Sequence, residues 1–490
     1  MKNYFVSPGS FIRPLTANSI IAISMAWLLG VSRAGADPTT QPDSASQDNA
    51  ELRSEVNQLK TQVDQLESNQ QQSPSATGQP ASTPPYIPDT NQSAFHLFHF
   101  TSGYDPEVGF VIRSADGQFS LHPGIVMDFR NMTSYREEVL PGAGGEEDKT
   151  GDSTQNGFDL SRFRMTFDGR VTQNVSYFVQ LQDDQGTTFG LLDAYWAYHF
   201  GADSPFAVKV GQFKDPIWHE RNLSEADLLA VDRSAVEYLL GGGQTGRVQG
   251  IDLMFDKDRL RSQLVFHDGF NSLNTKFIDA GGEGAGVGGG AGVTPTDFGA
   301  SARGEFMLIG DRSPEFNPYT EYDKQFTALG DKQDILVAGA GTDFSQAGSN
   351  DVIFHTVDLQ YDTSCGISAY AAYLGSYRDL HANQGVKPGY YYDPGFLVQV
   401  AYLVTPKIEP FARYDYTYLP LNSSSPTLFT GEVQEITLGA NYYLYRQNVK
   451  FTLDASWLPN GAPADADALG ILKDSGHNEA ILRLQFQLAL

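Results

Sequence analysis

Leu482, Leu484, Phe486, Leu488 and Leu490 form an unbroken apolar stripe at every second residue, opposite Arg483, Gln485 and Gln487. Strict period two places the two sets on opposite faces of an extended strand. The pattern recurs. In FSLHPGIVMDFR, Phe119, Leu121, Ile125, Met127 and Phe129 share one parity, and Ser120, His122, Asp128 and Arg130 the other. In RFRMTFDGRV, Phe163, Met165, Phe167 and Val171 face one way, and Arg162, Arg164, Thr166, Asp168 and Arg170 the other. In a soluble sandwich the apolar face packs inward. In a membrane barrel it meets lipid, and the polar face meets a wet lumen. Alternation alone does not choose between the two.

Loop lengths help to choose. The pattern predicts 16 strands, near 118–130, 158–171, 174–182, 188–200, 205–213, 246–256, 259–268, 297–309, 333–344, 351–361, 366–378, 394–404, 407–419, 432–445, 448–458 and 478–490. Short turns such as Thr172-Gln173-Asn174, Asp256–Asp258 and Tyr445–Asn448 alternate with long polar loops at 131–157, 214–245, 269–296, 379–393, 420–431 and 459–477. Short turns at one end and long loops at the other are the signature of a transmembrane antiparallel β-barrel. Two connections disturb it. Residues 310–332 are long where a short turn is due, and 345–350 are short where a long loop is allowed. A missed hairpin there would make the count 18. A chain whose last strand closes on its first leaves no open edge.

Ahead of the strands lie three different segments. Lys2 and Arg13 precede the apolar run Ile20 to Val31, followed by Ala34-Gly35-Ala36, so residues 1–36 read as a secretory signal peptide. Within 37–67, Leu52, Val56, Leu59, Val63 and Leu66 space as an a/d seam, a short coiled coil suited to assisting trimer assembly in the periplasm. A lone solvated helix is the plainer alternative. Residues 68–93, rich in Gln, Ser and Pro, read as a linker, and 94–490 as the barrel domain.

With 33 basic against 59 acidic residues, the net charge of −26 argues against a nucleic-acid partner. Outside the signal segment no apolar run reaches the roughly 20 residues that a membrane helix needs. The single cysteine, Cys365, cannot form an internal disulfide.

Four stretches resemble the phosphate-selective porin O and P family: FDLSRFRMTFDGRV (158–171), VKVGQFKDP (208–216) with AVDRS (230–234), GFLVQVAYLVTPKIEPFARYDY (395–416) and ITLGANYYLYRQNVKFTLDASW (436–457). They occur in family order, and the resemblance spans about residues 100–490. It implies a homotrimer of 16-stranded barrels in outer-membrane lipid, a third loop folded into each lumen, and a basic pore favouring anions such as phosphate. The acidic balance and the Gly-rich run 281–292 depart from that pattern.

Parity places Arg162, Arg164, Arg170, Lys209, Arg303, Glu409 and Arg413 in the lumen. They read either as an anion track or as wall braces paired with Asp168, Glu305, Glu409 and Asp415. The 214–245 loop carries Lys214, Glu220, Arg221, Asp227 and Arg233 together with Ile217, Trp218, Leu223, Leu228 and Leu229, apolar residues that need a surface to cover them. It reads as the constriction loop, or as an ordinary outer loop folded on itself. His96 and His99 read as aromatic packing rather than a metal pair, and Glu137, Glu138, Glu146, Glu147 and Asp148 as a solvated loop tip. No nucleophile elbow, P-loop or cofactor motif is present. The expected function is passive diffusion of small hydrophilic solutes or inorganic anions, with weak anion preference and no catalysis. Alternatives are a structural outer-membrane protein in contact with the cell wall, its barrel largely plugged, and a secreted glycan-binding β protein.

Overall fold

The computed structural model describes residues 100–490 apart from 106–108, 137–152, 184–188, 202–203, 242–245, 270–297, 314–315, 325–332, 348–349, 382–387, 419–430, 462–468 and 473–477. The signal, coiled-coil and linker segments, His96, His99, the acidic tip residues Glu137 to Asp148 and the Gly-rich run lie outside the described residues.

Two short strands, β1 (Phe100–Asp105) and β2 (Gly109–Ser114), pair as a hairpin. Sixteen strands follow: β3 (Ser120–Arg136), β4 (Ser153–Thr172), β5 (Val175–Asp183), β6 (Phe189–His199), β7 (Phe206–Lys214), β8 (Arg247–Lys257), β9 (Leu260–His267), β10 (Phe298–Ile309), β11 (Ile335–Ala347), β12 (Asn350–Asp362), β13 (Ile367–Leu380), β14 (Gly389–Tyr402), β15 (Ile408–Tyr418), β16 (Glu432–Tyr445), β17 (Val449–Leu458) and β18 (Glu479–Ala489). Each of these pairs antiparallel with the next, and β18 returns to pair with β3 from Glu479↔Arg136 to Ala489↔Val126. The wall is therefore a closed 16-stranded antiparallel barrel. Of the two counts left open by the sequence, 16 is the barrel's. The extra hairpin precedes the wall and, among the described residues, pairs in register with β3 at Ile112↔Leu121 and Arg113↔Ser120.

The apolar parity faces outward. Val357, Leu438, Leu453, Leu484 and Leu264 are exposed at mid-strand. The aromatics collect at the strand ends. Tyr198, Phe200, Phe206, Tyr402 and Tyr445 are exposed at the short-turn end, and Phe158, Phe189, Phe298, Tyr418 and Trp457 at the long-loop end. An aliphatic belt between two aromatic girdles matches a bilayer, whose interfaces suit amphipathic rings and whose core does not suit polar groups. Among the described residues no helix is long and apolar enough to cross a membrane.

The 310–332 connection corrects one expectation. It conceals no further hairpin of the wall. It carries a short helix, α2 (Tyr319–Tyr322, after α1 at His219–Asn222), and Tyr319 and Tyr322 are buried with Met307, Ile335 and Val337. The segment is long because it folds into the barrel end instead of merely turning the chain. The 345–350 connection is as short as it looked, with β11 and β12 pairing out to Ala347↔Asn350.

The belt predicts a specific sensitivity. Leu438 lies mid-strand on the lipid face of β16, between Ala412 and Ala455. Leu438→Arg is expected to destabilise the folded barrel by about 2–4 kcal/mol. Denaturant titration in lipid vesicles, followed by the gel shift between folded and unfolded barrel, measures it.

Candidate functional site

The site is the lumen, and the chain leaving β7 shapes it. This segment has little regular structure: α1, one tight turn at Glu225–Asp227 and one wide turn at Glu237–Gly241. Ile217, Trp218, Leu229, Val236 and Leu240 are buried against Phe354, Tyr370, Leu374, Leu397 and Phe411 on the inner wall. That explains both the apolar residues in the loop and the apolar patch on an otherwise polar inner face. Gly341 of β11 admits the closest approach, since a Cβ there would fall 2.9 Å from Ile217 Cα.

A buried irregular segment must find partners for its backbone groups. The polar parity of the wall supplies them. Lys450 Nζ donates to the carbonyls of Leu228 (2.6 Å) and Ala226 (3.3 Å), and Gln487 also donates to Ala226 (2.8 Å). Asn441 donates to Leu229 O (2.8 Å), Arg413 to Asp232 O (2.9 Å), and Thr356 and Arg303 to Ile217 O (2.5 and 3.2 Å). Carboxylates serve the N–H groups, with Asp454 accepting from Val231 at 3.0 Å and Asp415 from Ala235 at 3.1 Å. Two loop acids then reach wall cations. Asp232 pairs with Arg130 (2.7 Å) and Arg483 (3.5 Å), and Glu225 with Arg164.

The inner connection meets this loop from the opposite end of the barrel. The Tyr322 ring stacks on the His219 imidazole, with centroids 3.9 Å apart. Its hydroxyl accepts from Arg303 at 3.0 Å and donates to Asp358 at 3.2 Å.

All seven wall residues singled out by parity lie on the inner face. Arg162 pairs with Asp128, Arg164 with Glu225, and Lys209 with Asp252 at 2.9 Å. Lys209 also sits 4.2 Å from the Phe213 ring centroid. Arg303 binds Asp358 (2.8 Å) and Glu305 (2.7 Å), and Arg413 binds Asp415 (3.1 Å) and Glu435 (3.5 Å). Glu409 accepts from the Tyr443 hydroxyl. Arg170 is exposed near the short-turn end. Asp168 pairs with His122 at 2.9 Å.

The loop residues divide by task. Lys214 donates to Leu223 O (2.8 Å), and Arg233 to Leu223 O (2.7 Å), Glu220 O (3.0 Å) and the Glu225 carboxylate, so both hold the loop's shape. Glu220 accepts from the Ser234 N–H and hydroxyl at 2.9 and 2.7 Å. Arg221 pairs with Glu237 at 3.2 Å and keeps accessible surface; Asp227 is half-buried. The clamping cations Arg130, Lys450 and Arg483 were not singled out in the sequence. Their parity was readable, but the loop groups they meet, the Asp232 carboxylate for Arg130 and Arg483 and the Ala226 and Leu228 carbonyls for Lys450, lie far along the chain.

Residues 143–303 match the family model of the phosphate-selective porins O and P. The match begins before β4 and ends in β10, so it contains the inner loop; the motifs at 395–416 and 436–457 lie beyond it. No curated protein matches the chain. Solved structures similar to it include an anion-selective porin from Comamonas acidovorans, at 10% identity and TM-score 0.47, covering 76% of this chain and 100% of that one. OmpT of Vibrio cholerae aligns at 10% identity and TM-score 0.44, over 76% and 98% of the two chains. The channel DcaP of Acinetobacter baumannii aligns at 13% and 0.44, over 77% and 99%. The chain thus combines a porin sequence match with a closed, lipid-facing barrel. The family match over residues 143–303 and the closed barrel with its apolar face outward support a passive porin of the outer membrane.

Seating of the loop depends on the gap at Gly341. Gly341→Val is expected to unseat the Ile217 segment and give larger, noisier single-channel conductance while the barrel stays closed. Planar-bilayer recording beside the folded-barrel gel shift tests this; parental conductance from a folded variant would show that the loop does not need the gap.

Proposed function

We propose that small hydrophilic solutes and ions pass along the part of the lumen facing β4 to β7, with a weak preference for anions. The carrying observation is the depth of charge in the lumen pairs that reach water. Arg162 keeps 12% of its side chain accessible against 0% for Asp128, Lys209 11% against 0% for Asp252, and Arg221 18% against 4% for Glu237. In these three pairs the bases face the water and the acids are recessed behind them, whereas in His122–Asp168 and Arg130–Asp159 the acid is the more exposed partner. On the β10–β18 side, Arg303, Asp358, Arg413, Asp454 and Arg483 are all buried under the loop, so that side contributes packing rather than a path.

Whole-chain charge does not decide selectivity. Charges on outer loops are screened within roughly 8–10 Å at physiological salt. A group at the water boundary of a narrow, low-dielectric passage acts on each ion at close range. The net −26 therefore coexists with a mildly basic route. The heavily plugged half favours modest conductance, and the structural alternative, a barrel closed throughout, remains an outcome of the same test.

Reversal potential across a salt gradient should favour chloride over potassium in the parent porin. The pair Arg162→Gln with Lys209→Gln should shift it toward cations by more than Glu137→Gln with Glu138→Gln shifts it in either direction. A cation-selective parent insensitive to the basic substitutions would refute the route, and no conduction at all would favour the structural reading.

The reading extends to assembly and export. Residues 1–36 would direct export and be removed, 37–67 would form a periplasmic coiled coil, and 68–93 would link it to the barrel in a homotrimer. Two heptads are marginal alone, so they can help only chains already held by the barrel walls. Detergent-solubilised parent should sediment as a trimer, and Leu59→Lys should weaken association without opening the barrel. A monomeric parent would count against the trimer.

A further inference from the structure

Asp215 is the first residue beyond β7, where the chain turns into the lumen. It meets two residues of the wall, His267 at the end of β9 and Asp343 in β11. One ligand atom from each lies within 4.8 Å of the others, and all three residues are buried. His267 Nε2 is 2.8 Å from Asp343 Oδ2. The Ser345 hydroxyl donates to Asp343 Oδ1 at 2.9 Å, and the Ser301 hydroxyl to Asp215 Oδ1 at 2.7 Å. The second oxygen, Asp215 Oδ2, is buried without a hydrogen-bond partner.

The cluster's charge is unbalanced. Among the described residues, no Lys or Arg forms an ion pair with Asp215, His267 or Asp343, although most other buried acids of the lumen have one; the nearby Arg303 is committed to Asp358 and Glu305. Two adjacent buried carboxylates cannot both stay ionised beside a neutral imidazole without a compensating positive charge. Room has also been made for the imidazole. A Cβ on Gly299 would fall 2.7 Å from His267 Nδ1 and 2.8 Å from Ser345 Oγ.

We propose that Asp215, His267 and Asp343 bind a divalent transition-metal ion of the Zn²⁺ type, which staples the root of the inner loop to β9 and β11. Two carboxylates and an imidazole, with water in the fourth position, suit such an ion better than Mg²⁺ or Ca²⁺, which take oxygen ligands. The ion would take the place of the proton between His267 Nε2 and Asp343 Oδ2. Their separation must then open to roughly 3.3 Å, the edge of a tetrahedron with bonds near 2.0 Å. The imidazole keeps its one proton, on Nδ1. The Gly269 N–H, which now donates to Nδ1 at 2.9 Å, must turn away. Gly269 sits at φ +91°, where the backbone already uses the freedom only glycine has. Any proton shared by the two carboxylates is released on binding.

The test uses the full-length porin in detergent, stripped with chelator and titrated with Zn²⁺ alone by calorimetry at pH 7.5 in two buffers of different ionisation enthalpy. One site per chain with proton release is expected. Asp343→Asn and His267→Gln should each lower affinity at least tenfold, and His355→Gln, on the lipid side, should not. X-ray absorption of the parent should show nitrogen and oxygen ligands at about 2.0–2.2 Å, with the outer-shell scattering of one imidazole. That measurement decides the matter even if the variants fail to fold. No saturable site in the parent, affinity unchanged in folded variants, or a spectrum without imidazole would overturn the proposal and leave a carboxyl pair sharing a proton.

Discussion

Closure between β18 and β3 is the constraint on which the rest of this molecule depends. In hydrocarbon an unpaired strand edge has no water to satisfy it, so a sheet in a bilayer is stable only if its last strand bonds to its first. Here that seam runs from Glu479↔Arg136 to Ala489↔Val126, with Ile125 and Leu490 exchanging backbone hydrogen bonds at its end. Once the sheet is closed, period two has only one solution. The apolar parity has no inner core large enough to hold it and must face lipid, while the polar parity must share the lumen.

A lumen of sixteen strands is too wide for wall side chains alone to fill. Chain from both ends narrows it: the loop after β7 from the long-loop end and the connection after β10 from the other. They meet where Tyr322 stacks on His219. The wall's long polar side chains then take a second task. Lys450, Arg413, Asn441 and Gln487 spend their donors on loop carbonyls. Removing such a cation would also strand buried acids beside it, so the clamp and the wall's ion pairs stand or fall together.

Much of this was legible in the sequence because the periodic signal is local. The sixteen strand positions, the short turns and the inward parity of Arg162, Lys209 and Arg303 each follow from a few neighbouring residues. The loop after β7 betrayed itself by carrying Ile217, Trp218, Leu228 and Leu229 in an otherwise polar connection. Other features were not legible because they rest on distant meetings. Arg130 finds Asp232 a hundred residues away, Gln487 finds Ala226, and Asp215, His267 and Asp343 come from three separate segments. The 310–332 connection was visibly too long, yet its length alone could not distinguish a hidden hairpin from a segment turned inward by Tyr319 and Tyr322.

The same division between local and distant order bears on how a strongly acidic protein can carry a basic path. Composition counts charges without depth. Folding assigns depth by geometry: Asp128 and Asp252 have short side chains whose carboxylates remain at the wall, while Arg162 and Lys209, pairing with them from neighbouring strands, extend further and end nearer the water. In these two pairs the short acid and the long base present the positive end to the lumen even though each pair is neutral overall; in Arg130–Asp159 the order is reversed. Where the loop covers the wall, as over Arg413 and Arg483, that asymmetry is lost, since both partners are buried. The sign of the field a solute meets is thus set less by the number of charges than by which side-chain lengths the strands place opposite open water.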